Sequence, residues 1–136
     1  MNKFITALSA DLKDGSDTVW VINKLLSYES DTVGLVEVPA GFETDFASVP
    51  RIPIAYTLFG NRAHREAVLH DYLYRIDAKT SNHTHIVREK ADAVFLEAME
   101  VRGKAFYVRW PMYLGVRFGG WPSYRKLKVG DKLWQD

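Results

Sequence analysis

The residues best suited to chemistry lie in one short stretch, His70-Asp71-Tyr72-Leu73-Tyr74. It places an imidazole beside a carboxylate, and the phenol of Tyr74 follows one helical turn after the imidazole. An imidazole can act as a general base near neutral pH, and a carboxylate can bind a cation or orient a histidine ring. We therefore take this stretch as the candidate functional site and ask which elements position it.

The spacing of apolar residues predicts that the stretch is helical. Four of them recur at three- and four-residue intervals: Val68, Leu69, Leu73 and Ile76. Residues 63–74 contain neither Gly nor Pro, and Asn61 is a suitable N-cap. Adjacent helical residues point about 100° apart, so Asp71 cannot orient the ring of His70, whereas Tyr74 lies on the same side as His70. A catalytic His70 therefore needs a carboxylate from elsewhere in the chain.

A second helix is expected to supply that carboxylate. The pattern predicts a helix over residues 85–102, ended by Gly103. Its apolar stripe consists of Val87, Ala91, Val94, Phe95, Ala98 and Met99. Asp92 borders this stripe one turn after Arg88, so it is the carboxylate expected to face a neighbouring helix.

The first forty residues favour β-structure. Residues 18–22 and 33–38 are rich in β-branched side chains, and antiparallel pairing with residues 4–8 is expected. Residues 41–51 follow neither period and predict an ordered loop, whose Asp45 is placed to bind a metal or to cap a helix.

The whole chain is predicted to be one α+β domain over residues 1–136. Residues 1–60 form a small N-terminal antiparallel β-sheet and the ordered loop. Residues 61–120 form two central antiparallel helices and a shorter C-terminal helix, with Pro111 at its first turn or at a kink. Residues 121–136 form a basic, aromatic tail.

Composition narrows the possible partners. A hydrophobic fraction of 47% over 136 residues suffices for one core, and the lack of cysteine excludes disulfides and thiolate metal sites. Residues 101–136 carry eight basic and two acidic side chains, a surface that a nucleic acid, an anionic membrane or an acidic protein can bind. Neither a secretory signal nor a membrane span is expected.

Two motifs resemble those of a known enzyme family. His70-Asp71-Tyr72-Leu73-Tyr74 resembles the H-D-x-C-Y motif of phospholipase A2, and Ala91-Asp92-Ala93 resembles the start of its C-D-R motif. The paired cysteines of that family correspond to Leu73 and Ala91. The resemblance implies that His70 is the general base, that Asp71 binds Ca²⁺, and that Tyr74 and Asp92 support the histidine. Asp45 is a second candidate metal ligand.

A longer succession of motifs covers most of the chain: V-P-A-G-F-x-T-D-F-A-S-V-P-R, A-x-x-H-D-x-L-Y, A-D-x-x-F-x-x-A-M and V-R-x-G. It resembles a phage and prophage family of domains of unknown function. This resemblance implies a phage-encoded protein and leaves its activity open. We expect a virion protein of the tail or baseplate, synthesised in the cytoplasm of the bacterial host. The expected partners are other phage structural proteins or a phospholipid membrane surface, and no nucleic acid is expected.

Three functions are open at this point. The first is calcium-dependent, phospholipase A2-like hydrolysis of lipid esters by His70 with Asp92. The second is a metal phosphohydrolase that also uses His64, but His64 and His70 lie about 240° apart around a helix, which hinders binding of one metal by both. In the third, the same polar residues form a buried hydrogen-bond network in a non-catalytic tail protein.

Overall fold

The computed structural model describes residues 1–16, 19–44, 64–75, 77–84 and 86–119. Within these ranges, two small antiparallel sheets precede three helices, which confirms the predicted α+β class. The strands are β1 (Lys3–Phe4), β2 (Ala10–Leu12), β3 (Trp20–Ile22), β4 (Leu26–Ser30), β5 (Gly34–Val38) and β6 (Glu43–Thr44). The helices are α1 (His64–Leu73), α2 (Arg88–Val101) and α3 (Phe106–Gly119).

The strands form two sheets rather than the single sheet expected. The first has the order β1-β4-β5 and the second the order β2-β3-β6. The segment around Phe4 pairs with β4, although the expected partners were the two strands predicted from the sequence. β4 has the sequence LSYES, which contains no β-branched residue and so gives a weak strand signal. It forms a strand because Leu26 and Tyr28 are fully buried and pair with Val38 and Val36 of β5.

α1 and α2 pack on the first sheet, and α3 packs on α2. Buried side chains of α1 and α2 share one apolar cluster with β4 and β5, among them Leu69, Leu73, Ala91 and Val94. Contacts between α1 and α2 run in opposite directions along the two helices. Glu66, early in α1, lies near Arg102 at the end of α2, while His70, late in α1, lies near Asp92, early in α2. The two helices are therefore antiparallel, and α2 lies between α1 and α3.

α3 differs from its sequence prediction. It has 14 residues, as many as α2, and Pro111 lies inside it rather than in its first turn. An internal proline removes one backbone hydrogen bond. Burial of Val108, Met112 and Val116 against Phe95 and Met99 of α2 offsets that loss. No helix in the described ranges is both long and apolar enough to cross a bilayer.

The connection between α1 and α2 is held against the β4–β5 hairpin. The Leu35 N–H donates to Ser81 Oγ at 2.8 Å, and the Ser81 N–H donates to the Leu35 carbonyl at 2.9 Å. Gly34 permits this contact, since its φ is +88° and an added Cβ would lie 2.4 Å from Ser81 Oγ. The hairpin therefore fixes where the chain turns back toward α2.

We expect Gly34→Ala to lower the free energy of unfolding by at least about 2 kcal/mol, from backbone strain plus the clash with Ser81. Gly15→Ala is the matched control, because Gly15 has a φ of +79° and open space around the added Cβ. Gly15→Ala should lower the free energy of unfolding only by the backbone strain, about 1 kcal/mol. Urea unfolding of both variants measures the difference. Equal losses would show that the hairpin and the connection are not tightly joined.

Candidate functional site

Two helices and the residue just beyond one of them bring the predicted polar side chains together. His70 lies in the last turn of α1, and the helical hydrogen-bonding continues to Tyr74, whose N–H donates to the His70 carbonyl at 3.1 Å. Asp92 lies in the second turn of α2. All three side chains are buried. The antiparallel arrangement of α1 and α2 therefore forms a polar cluster inside the core.

One carboxylate oxygen of Asp92 forms hydrogen bonds with both of the other side chains. His70 Nε2 lies 2.6 Å from Asp92 Oδ1, and the Tyr74 hydroxyl donates to the same oxygen at 2.5 Å. The imidazole also packs on aromatic rings, with its centroid 4.1 Å from that of Tyr74 and 4.8 Å from that of Phe95. The ring of His70 is thus fixed both by a hydrogen bond and by packing.

The protonation states follow from burial and hydrogen bonding. Burial lowers the pKa of His70 and outweighs the opposing effect of Asp92, so the imidazole is neutral. Burial alone would raise the pKa of Asp92, but hydrogen bonds from His70, Tyr74 and Arg117 bring it below its ordinary value. Burial raises the pKa of Tyr74, which stays a phenol. An ionised carboxylate only accepts hydrogen bonds, so His70 carries its proton on Nε2 and its lone pair on Nδ1.

The other oxygen of Asp92 faces α3, a feature that the sequence interpretation missed. Arg117 Nη1 donates to Asp92 Oδ2 at 2.8 Å, and Arg88 Nε lies 3.9 Å from the same oxygen. Arg88 also donates through Nη2 to the backbone carbonyls of Val116, at 2.8 Å, and Arg117. The only signal for Arg117 was its place in the V-R-x-G motif, to which no role was given. Asp92 therefore links α1, α2 and α3.

Asp71 points away from this cluster, as its position next to His70 in a helix requires. Its Oδ2 accepts a hydrogen bond from the Thr44 hydroxyl of β6, which joins α1 to the second sheet. Asp45 follows Thr44 directly but lies outside the described residues, as does the side chain of His64. The structure thus describes one of the two predicted metal ligands.

The described residues fit a hard cation in donor type but not in number. Asp71 and Thr44 offer a carboxylate and a hydroxyl oxygen, the donors that Ca²⁺ prefers, but Ca²⁺ takes about six to eight oxygen ligands. No group of three or more His, Cys, Asp or Glu side chains that could hold a metal occurs in the described ranges. Asp71 and Asp45 stay predictions as metal ligands.

A second buried carboxyl group at the α1–α2 interface, that of Glu66, differs from Asp92 in its hydrogen bonding. Glu66 lies one turn before His70 and is completely buried, yet neither of its carboxyl oxygens accepts a hydrogen bond from the described residues. Arg102 Nε is 3.8 Å away. Burial raises the pKa of Glu66, whereas the pKa of Asp92 is lowered. The hydrogen bonds to Asp92, and not its position at this interface, keep it ionised.

The fold and cluster define an α+β protein whose helices enclose a histidine, a tyrosine and an aspartate. A family model described as "Protein of unknown function (DUF1353)" matches residues 20–116. The chain belongs to this family. The match extends from β3 into α3 and includes His70, Tyr74 and Asp92. No curated protein and no solved structure matches the chain.

The buried, neutral His70 should make stability depend on pH. Below about pH 6.5 the unfolded chain protonates this histidine while the folded chain does not, so stability is full above that pH and falls as the pH drops. The contribution of His70 to this slope should approach about 1.4 kcal/mol per pH unit, while Glu66, whose pKa is raised by burial, contributes with the opposite sign. Asp92 does not contribute in this window, because its lowered pKa places its titration at more acidic pH.

Urea unfolding between about pH 7.5 and about pH 5 tests this expectation. His70→Gln should remove the contribution of His70, which is the difference in slope between wild type and variant, since glutamine can donate to Asp92 without titrating. His83→Gln, which replaces a histidine outside the cluster, is the control and should show the same slope as wild type. If wild type and His70→Gln lose stability in parallel, the slope comes from other groups.

Proposed function

We propose that the protein hydrolyses ester bonds, with His70 as the general base and Asp92 as the carboxylate that orients it. One observation carries this proposal: His70 Nε2 and the Tyr74 hydroxyl meet the same oxygen of Asp92. Because Nε2 donates to that oxygen, Nδ1 is the nitrogen that accepts a proton. A neutral imidazole backed by a buried carboxylate is the arrangement that general-base catalysis needs.

The reaction follows from these protonation states. Nδ1 of His70 takes a proton from a water molecule, and the water oxygen attacks the carbonyl carbon of the ester. Asp92 stabilises the imidazolium that forms, since both groups are fully buried. The imidazolium then returns its proton to the departing alkoxide, so that the products are a carboxylic acid and an alcohol. Tyr74 and Arg117 keep Asp92 a weak base, and the proton therefore stays on His70 during attack.

The substrate class and the cation rest on the resemblance to phospholipase A2. It points to lipid esters and to Ca²⁺ bound by Asp71. Asp45 is proposed as a second ligand from its place in the motif that precedes α1 in the sequence. Support from the fold is that Asp71 points away from Asp92, so that its carboxylate is separate from the orienting one. The phage origin and a place in the tail or baseplate rest on the longer succession of motifs.

We expect release of fatty acid from phospholipid vesicles in the presence of calcium. His70→Gln should lower the rate by about 10²- to 10⁴-fold, the usual contribution of a general base. Asp71→Asn should weaken the response to calcium. His83→Gln and Asp14→Asn, in which comparable groups outside the cluster are altered, are the matched controls. Titration of released acid measures the rate.

The unfolding curves of all four variants must show a folded protein in this assay. A folded wild-type protein that releases no acid from phospholipid or from a soluble ester, with or without calcium, would contradict the hydrolase proposal. A rate unchanged in His70→Gln would contradict the assignment of the base.

The complete burial of His70 and Asp92 favours a second candidate function, a structural role without catalysis. The side chains of His70 and Asp92 are both 0% exposed, and Asp92 is bonded to side chains of α1 and α3. Buried polar groups must be paired whether or not they react, so the cluster also suits a non-catalytic tail protein held together by this network.

The structural role makes its own prediction. Asp92→Asn leaves Arg117 without its ionised partner and should lower the free energy of unfolding by about 2–4 kcal/mol. It should also reduce incorporation into virions of a phage that encodes the chain, whereas Asp14→Asn should not. Immunodetection in purified particles measures incorporation. Particles that lack the wild-type protein, while infected cells contain it, would exclude a virion role.

A further inference from the structure

α3 is apolar on two opposite faces. Its inner face packs on α2 through Val108, Met112 and Val116. Its outer face exposes five large side chains, Phe106 (66%), Tyr107 (60%), Trp110 (45%), Leu114 (46%) and Phe118 (81%). With about 100° between successive residues, these five lie within one sector of the helix, opposite the inner face. We call them the outer face of α3.

Such a surface is unusual for a protein that meets only water. Soluble monomers rarely expose large contiguous apolar patches, and those that do use them for partners or membranes. The aromatic rings here stand close together, with centroids 5.7 Å apart for Phe106 and Tyr107 and 5.6 Å apart for Trp110 and Tyr113. The inner face already packs α3 on α2, so packing among the described residues does not account for the outer face.

All charged side chains within α3 and its N-terminal flank, residues 101–119, are basic, although Arg117 is paired with Asp92 and Arg102 lies 3.8 Å from Glu66. Residues 101–119 include four basic side chains, Arg102, Lys104, Arg109 and Arg117, and no acidic one. Arg109 donates to the neutral backbone carbonyl of Lys104 at 2.9 Å and forms no ion pair with a carboxylate in the described part of the chain. Residues 120–136 add four basic and two acidic side chains in sequence. The complementary surface is therefore anionic.

We propose that the outer face of α3 docks on an anionic phospholipid surface. Aromatic and leucine side chains enter the headgroup region, while Arg109 remains near the phosphates. A helix with one exposed aromatic face and only basic charges is the type that lies in a membrane interface. This binding does not depend on catalysis by His70. Because α3 packs directly on α2, docking would hold Asp92 about one helix diameter, about 10 Å, from the lipid.

Sedimentation of the full chain with vesicles tests this proposal. We expect binding to phosphatidylcholine vesicles that contain about one quarter phosphatidylglycerol, and weaker binding to phosphatidylcholine alone. Leu114→Ser with Phe118→Ser should reduce the partition coefficient at least about tenfold, since two exposed apolar groups no longer enter the interface. Both positions are exposed, so the fold should persist, and unfolding curves check this.

The matched control is Ile5→Ser with Leu12→Ser. Leu12 is 45% exposed and Leu114 46%, and Ile5 is also exposed at 53%, but both control residues belong to the β-rich part. The control should bind vesicles like wild type. Hydrolysis plays no part in this measurement, so a catalytically inactive chain that binds vesicles supports docking and counts only against the hydrolase.

Three results would overturn the proposal. The first is no binding of the wild type to either vesicle. The second is binding that the α3 variant leaves unchanged, which would assign it to another segment. The third is a dimer in analytical ultracentrifugation that the α3 variant dissociates, together with no vesicle binding, which would assign the outer face to a second copy of the chain.

Discussion

The arrangement of the helices depends on the pairing of one buried carboxylate. Isolated burial of an ionised group costs several kcal/mol, and only good hydrogen bonds from charged or strongly polar donors offset it. Asp92 meets this requirement by using its two oxygens in different directions, Oδ1 toward His70 and Tyr74 and Oδ2 toward Arg117. Three helices must therefore keep their relative positions for one charge to be tolerated. Glu66, at the same α1–α2 interface, accepts no side-chain hydrogen bond from the described residues, and burial raises its pKa.

The same pairing gives the cluster its chemical character. Burial opposes a charge on His70, and the adjacent carboxylate favours one, so the ring is neutral yet has a counter-ion in place for the charged form. Hydrogen bonds from Tyr74 and Arg117 lower the pKa of Asp92, so that its carboxylate does not take the proton from His70. The catalytic and structural functions therefore use the same atoms and the same bonds. What distinguishes them is whether water and an ester reach Nδ1 of His70.

The sequence predicted the parts that depend on local periodicity. α2, predicted over residues 85–102 and observed over Arg88–Val101, follows from apolar spacing, and its end shortly before Gly103, where φ is +78°, follows from the tolerance of glycine for that conformation. Asp92 was found because it borders the apolar stripe. Arg117 was missed because it pairs across 25 residues of sequence, from a helix whose Pro111 suggested a shorter element. β4 was missed because its strand character comes from burial of Leu26 and Tyr28 and not from its residue types.

α3 connects the surface of the protein to the buried cluster. Its exposed aromatic side chains and Arg117 belong to one helix, and Arg117 donates to Asp92. A shift of α3 would weaken this bond, and the pKa of Asp92 would rise because burial opposes its charge. An ionised Asp92 that has lost the hydrogen bond from Arg117 would be a stronger hydrogen-bond acceptor and would stabilise a protonated His70 better. Contact at the outer face of α3 would therefore act on the basicity of His70 through the guanidinium groups of Arg117 and Arg88, which connect α3 to Asp92.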